Sequence, residues 1–174
     1  MVLDRIELHG CTWMLGLPFT HGALLERQRK QPRKVGSLRH CKCAGDVCPI
    51  QLQGDFEAAF GVPLRNMWGA TEVVGALREG LQPGPVTRIA PGAQIRLVDD
   101  EGRNVPRGEV GEFLVRGPYV TVGYWAGPDR IDDATRDGWY HSGDLMRQDE
   151  GEASRILSSA AGPTSPRSRS SGSY

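Results

Sequence analysis

The sequence predicts an α/β fold in two successive parts, followed by a disordered end. Three observations predict it. Residues 1–68 alternate short helical and strand patterns, which argues for a partial α/β layered sheet over about residues 1–80. After residue 80 the apolar spacing falls to every second residue, which argues for an antiparallel β-rich, distorted-barrel-like part over about 86–150. From Glu152 onward Ser, Gly, Pro and Arg dominate, with one apolar pair, Ile156-Leu157. Such a segment buries too little apolar surface to offset its ordering entropy, so 152–174 reads as a disordered tail.

Each element follows in order. Val2, Leu3, Ile6 and Leu8 give residues 1–9 a loose helical face. "CTWMLG" (11–16) is a short β-prone run. Pro18 opens a second helix through about Gln28, at a position where its missing N–H costs nothing. "ERQRKQPRK" (26–34) is a solvated basic helix end and loop. "SLRHCKCAG" (37–45) alternates as a strand ending at Gly45. Pro49 starts a helix with Leu52, Phe56 and Phe60 on one face, and Gly61 stops it. "VPLRNMW" (62–68) is the next strand. Beyond the turn-rich "LQPGPVTRIAPG", Ile95 and Leu97 alternate against Gln94 and Arg96. Phe113 and Val115 alternate against Glu112, Leu114 and Arg116. A short helix is expected at 129–136, and "GWYHSGDLMRQDEG" (138–151) reads as strand, polar corner, strand.

The 174 residues suffice for one domain with a core. Lys+Arg and Asp+Glu are both 21, so no net charge argues for a nucleic-acid partner. No apolar run approaches the roughly 18 residues of a membrane span. "MVLDRIELHGC" lacks the apolar core of a secretory signal, so a cytoplasmic setting is expected. The four cysteines are irregularly spaced and read as reduced core thiols. A zinc site from His40, Cys41, Cys43 and Cys48 is disfavoured, because no second cysteine pair follows.

Three polar punctuations stand at predicted strand ends: "CAGDVCP" (43–49), "WGATE" (68–72) and "HSGD" (141–144). In open α/β sheets, ligands gather at the carboxyl ends of strands. Gly45 and Gly69 would let a ligand approach the backbone. Trp68 offers a flat face to a planar group. Thr71 has a hydroxyl for a phosphate oxygen. Glu72 suits Mg²⁺, which prefers oxygen and takes few ligands from protein. Asp144, acceptor-only when ionised, suits a ribose diol. A charge at the end of an apolar run is costly without a partner, so Glu72 needs one.

"NMWGATE", "GEFLVRGPYVTVGYW" and "GWYHSGDL", in that order, resemble the adenylate-forming (AMP-binding) superfamily, and within it the acyl-CoA synthetases or acid–CoA ligases. Those enzymes typically show Tyr-Gly-x-Thr-Glu, Gly-Glu-Leu-x-x-x-Gly…Gly-Tyr and Gly-Trp-x-x-Thr-Gly-Asp. "CAGDVCP" is similar to the family's Gly-Gly-x-x-x-Pro adenine loop, with Ala44 where the first Gly is usual. The resemblance covers residues 1–151, in an α/β part (1–80) and a β-rich part (86–151). It implies ATP-dependent activation of a small-molecule carboxylic acid, fatty acids included, as an acyl-adenylate. Coenzyme A, the co-substrate, then displaces AMP to form a thioester. It further implies that Gly45, Asp46 and Val47 line the adenine and that Trp68 replaces the Tyr that stacks on it. Thr71 would contact the α-phosphate, Glu72 the Mg²⁺ and Asp144 the ribose. Ala70, Val73, Val74 and Gly75, with Gly69, would border the acyl pocket.

The sequence also departs from that pattern. A Ser/Thr/Gly-rich phosphate loop ending in Pro-Lys-Gly is absent, as is the Gly-Arg-x-x-Asp hinge, and no lysine follows Lys42. The chain resembles the later part of the family's large N-terminal domain. It is expected not to be catalytic alone. The alternative is a nucleotide-binding or regulatory fragment without turnover.

Overall fold

The computed structural model describes residues 2–79, 83–84, 86–148 and 156–159. Its first elements are α1 (Val2–His9), β1 (Trp13–Gly16), α2 (Pro18–Lys30), β2 (His40–Cys43), α3 (Ile50–Phe60) and β3 (Leu64–Asn66). The strands pair in parallel in the order β1-β2-β3, with Met14, Cys41 and Leu64 in register. Parallel neighbours need a crossover between them, and α2 and α3 supply it. Pro18 opens α2, and Gly61 closes α3 at φ 69°, a left-handed cap that glycine adopts without strain.

The helices cover one face of this sheet. Leu3, Ile6, Leu24, Leu25, Cys41, Cys43, Phe56, Phe60 and Leu64 form the first core. Phe56 stacks on Phe60 at 4.0 Å and takes the His21 ring edge-on at 5.3 Å. Cys41, Cys43 and Cys48 are buried there as free thiols.

The remaining strands are β4 (Trp68–Ala70), β5 (Val73–Glu79), β6 (Val86–Ile89), β7 (Gln94–Val98), β8 (Val110–Arg116), β9 (Tyr124–Gly127), β10 (Arg130–Asp132), β11 (Tyr140–Gln148) and β12 (Ile156–Ser159). Seven of them form an antiparallel sheet in the order β4-β5-β6-β12-β11-β8-β7. β4 and β7 do not meet, so the sheet stays open instead of closing into a barrel. Trp68, Val73, Leu77, Phe113, Val115, Tyr140 and Met146 form the second core. Alternation set Leu114 with the polar residues of β8, yet it is only 2% exposed, so that face is covered at its middle while Val110 and Arg116 at its ends are exposed. Of the expected disordered tail, only Ile156–Ser159 lie within the described residues, and their backbone pairs with β11.

The helix expected at 129–136 does not form. β9 and β10 make an antiparallel hairpin there, turning at Pro128 and Asp129. The window offers no apolar face to hold a short helix: Ile131 is exposed. Gly123 lets the hairpin close, because a Cβ on it would collide with the Asp132 carbonyl oxygen. Among the described residues no helix is long and apolar enough to cross a membrane, which says nothing of β-barrels.

The two sheets join where the site residues lie. The Met67 N–H donates to the Cys43 carbonyl at 2.8 Å, so β4 starts from the carboxyl end of β2 and β3. Gln53 of α3, fully buried, holds Gly84 by two bonds, donating to its oxygen and accepting from its N–H.

Candidate nucleotide site

Residues 44–47 follow β2, and residues 67–72 follow and extend β3. Because Cys43 pairs with Asn66, the two segments leave the same end of the parallel sheet. Gly45 sits at φ 82°, and a Cβ there would lie 2.6 Å from Leu17 Cδ2. Glycine therefore lets this loop lie against the start of α2. The Asp46 carboxylate accepts the Val47 N–H at 2.7 Å, and both residues are exposed.

Trp68 and Asp144, 76 residues apart, are joined directly. The indole Nε1–H donates to Asp144 Oδ2 at 2.7 Å. The indole is 9% exposed and packs edge-on to Phe113 at 4.7 Å. Asp144 stands on the expected polar corner, where the β11–β8 register shifts between His141 and Leu145. Gly143 makes that corner at φ 74°. The Asp144 N–H donates to Ser142 Oγ at 3.0 Å, and Ser142 Oγ donates to the Phe113 carbonyl at 2.7 Å. Glu112 steadies the corner from β8: its Oε1 accepts the Gly143 N–H, and its Oε2 lies 3.3 Å from His141 Nδ1.

Glu72 has found its partners. Tyr124 donates to Oε1 at 2.7 Å and Tyr140 to Oε2 at 3.1 Å. The Tyr124 bond is the largest cause holding the Glu72 carboxyl below its usual range. Burial first, then the bond to Glu72, raises Tyr140 to about 12, and the nearby Asp144 charge adds to this. The Thr121 N–H donates to the Glu72 carbonyl at 2.8 Å, tying the segment before β9 to this turn.

The other candidates are placed plainly. Thr71 and Gly69 are exposed beside Glu72. Ala70 packs against the second core, Val73 is buried in it, and Val74 is 71% exposed. Gly75 takes φ 76°. Among the described residues no hydrogen bond joins the 45–47 loop to Trp68, Glu72 or Asp144. Sequence reasoning missed Tyr124, Tyr140, Ser142 and Glu112 as supporting groups. All four lie inside the motifs that located the site, "GEFLVRGPYVTVGYW" and "GWYHSGDL". Among the described residues no three His, Cys, Asp or Glu side chains gather as a metal cage. Glu72 offers a lone carboxylate, a donor type that suits Mg²⁺ shared with phosphates better than a closed protein site.

A family model described as AMP-binding enzyme matches residues 1–125. The chain belongs to the AMP-binding enzyme family. Its likeness to the adenylate-forming enzymes, expected from three motifs, thus holds over most of its length. The chain is 42% identical over 163 residues to the long-chain-fatty-acid–CoA ligase of Salmonella typhimurium, covering 90% of this chain and 29% of that protein. It is 35% identical over 157 residues to the medium-chain fatty-acid–CoA ligase of Escherichia coli, covering 85% of this chain and 27% of that protein. Among solved structures it matches an anthranilate CoA ligase in complex with anthranoyl-AMP, with TM-score 0.77 and 26% identity, covering 89% of this chain and 31% of that one. A benzoate CoA ligase from Burkholderia xenovorans matches with TM-score 0.72 and 28% identity, covering 90% and 33%. This member of the family therefore spans about a third or less of the length of these four relatives.

Proposed function

We propose that residues 1–151 are the nucleotide-holding part of an ATP-dependent carboxylic acid–CoA ligase that acts in the cytoplasm. The observation that carries this reading is the Trp68–Asp144 bond. It brings the corner carrying Asp144 to the strand that leads to Thr71 and Glu72. A ribose acceptor, a phosphate donor and a metal-suited carboxylate then share one end of the parallel sheet, where ligands of open α/β sheets bind. The acid–CoA ligase names of the relatives support the reaction class.

In this reading Gly45, Asp46 and Val47 line the adenine, and Asp144 accepts from the ribose hydroxyls. Thr71 donates to an α-phosphate oxygen. Tyr124 and Tyr140 hold Glu72 ionised and fixed in direction, so little reorganisation is needed as charge develops. Ala70 and residues 73–75 border the acid, Val74 through its exposed side chain. Mg²⁺, when bound at Glu72, would neutralise charge on the phosphates as pyrophosphate leaves. The acid carboxylate attacks the α-phosphorus, the bond to pyrophosphate breaks, and the thiol of coenzyme A later displaces AMP.

One experiment tests binding and turnover together. Titration calorimetry is expected to show AMP binding that Asp144→Ala weakens about tenfold, the worth of one charge-assisted hydrogen bond. Absence of heat with both AMP and ATP would remove the nucleotide reading. The alternative reading is nucleotide binding without turnover. AMP binding with no acid-dependent ATP–pyrophosphate exchange would select it.

A further inference from the structure

We propose that Cys43 and Cys48 are a redox-sensitive thiol pair whose disulfide closes residues 44–47 into a ring and weakens nucleotide binding. The effect on binding rests on the nucleotide reading above; the pair itself does not. All four cysteines of the chain are free thiols. Cys43 ends β2, and Cys48 stands just before Pro49 and α3. Both are buried in the first core, at 0% and 3% exposure. There the two side chains meet: the Cys43 thiol donates a hydrogen bond to the Cys48 sulfur. A disulfide needs neighbouring sulfurs on side chains turned toward each other, and this bond supplies both. Cys11 bonds instead to the Arg5 carbonyl at 3.8 Å, and burial raises Cys41 to about 11.

The pair is asymmetric. The thiolate is the nucleophile of sulfur chemistry. The bond from Cys43 lowers the Cys48 pKa, while the same bond, with burial, keeps the proton on Cys43. Cys48 also follows Val47, which is 40% exposed, whereas Cys43 lies within β2. Hydrogen peroxide serves as the oxidant. The Cys48 thiolate attacks one peroxide oxygen, the O–O bond breaks, and hydroxide leaves a sulfenic acid behind. The Cys43 sulfur then attacks the Cys48 sulfur and gives up its proton, and the S–O bond breaks to release water. Two thiols and one peroxide become one disulfide and two waters. In a reducing setting such a bond is transient, and a thiol reductant reverses it.

The bridge acts on the loop because both of its ends are anchored. The Cys43 carbonyl accepts the Met67 N–H at 2.8 Å, and the Cys48 carbonyl accepts from Gln53 Nε2 at 3.0 Å. A disulfide is shorter than the hydrogen-bonded contact it replaces, so residues 44–47 take up the change. Gly45 already lies against Leu17, where even a Cβ would come within 2.6 Å of Cδ2. The displacement therefore falls on Asp46 and Val47, the exposed residues expected to line the adenine.

Peptide mapping of the full chain, treated with hydrogen peroxide and then alkylated under denaturing conditions, reads the pair directly. A Cys43–Cys48 disulfide is expected, with Cys11 and Cys41 recovered as alkylated thiols. Four free thiols, a Cys48 that stops at sulfinic acid, or a bridge to Cys41 or Cys11 would each overturn the proposal. This measurement needs no variant. Calorimetry then tests the effect on binding. The oxidised chain is expected to bind AMP about tenfold more weakly than the reduced one, the worth of one lost polar contact, and dithiothreitol should restore it. Cys48→Ala cannot bridge, so peroxide should leave its AMP affinity unchanged. A peroxide effect that persists in Cys48→Ala would move the sensitive group elsewhere and overturn the proposal. A mapped disulfide with unchanged AMP affinity would overturn the switch and leave the nucleotide reading intact. No AMP binding by the reduced chain would remove that reading and the switch with it.

Discussion

Glu72 stands at the end of an apolar stretch, and two phenols donate to it, one to each oxygen, which favours its charged form. The shorter bond, from Tyr124, is the larger cause of its lowered pKa. Tyr124→Phe is therefore expected to raise the Glu72 pKa toward the ordinary glutamate value. Tyr140→Phe, which removes the longer bond, should raise it less. Carboxyl carbon shifts followed through a pH titration by NMR check this, and no movement in either variant would refute it. The Glu72 side chain is legible in the sequence as a candidate because a hydroxyl and a carboxylate stand together after Gly69. Its partners are not, since Tyr124 and Tyr140 lie 52 and 68 residues away. Local spacing cannot say which distant tyrosine will face a carboxylate. The same holds for Trp68: no spacing shows that its ring meets Phe113 edge-on or that its N–H is engaged.

At the scale of elements, α2 is tied to the sheet through one histidine. His21 is fully buried, with Nε2 2.9 Å from the Lys42 carbonyl and Nδ1 unpartnered among the described residues. Burial lowers its pKa from 6.5, so the folded state prefers the neutral ring. The sign follows from linkage. At pH values below 6.5 the unfolded chain binds this proton more readily than the folded one. His21 therefore contributes fully above 6.5, and its contribution is lost as pH falls toward the depressed folded value. Urea midpoints at pH 7.5 and 5.5 should show a loss of stability that His21→Leu reduces. An equal loss in that variant would assign the effect elsewhere. Most elements could be read locally: Pro18 and Gly61 mark helix ends, and Asp100, Glu101 and Gly102 mark the turn after β7. The 129–136 window misled because its charges suit a helix surface. What decides it is the contact between Gly123 and the backbone of Asp132, which no period reveals.

At the scale of the whole molecule, the two sheets differ in how well they are covered. In the parallel sheet, Cys41, Cys43 and Leu64 face the helices. The opposite face carries Trp13 and Leu15, with Leu17 and Phe19 just beyond β1. Trp13 is 54% and Phe19 84% exposed. Parallel sheets are ordinarily covered on both faces, and β1 is also an edge strand. Neutral net charge adds no repulsion to keep copies apart. The β-prone run "CTWMLG" located the strand, but one short sequence does not tell which face lacks a cover. The isolated chain is therefore expected to self-associate and to bind a hydrophobic dye such as ANS. Replacing Trp13 with Lys and Phe19 with Ser removes the two largest exposed rings near β1 and leaves both cores intact. Light scattering behind a sizing column should then show a larger monomer fraction than for the wild type. A wild-type chain that elutes as a monomer and binds no dye would show that this face needs no cover. Wild-type aggregates that persist unchanged in the double variant would move the association to another surface. The exposed β9–β10 hairpin, with Trp125 and Ile131, is then the next apolar patch to substitute.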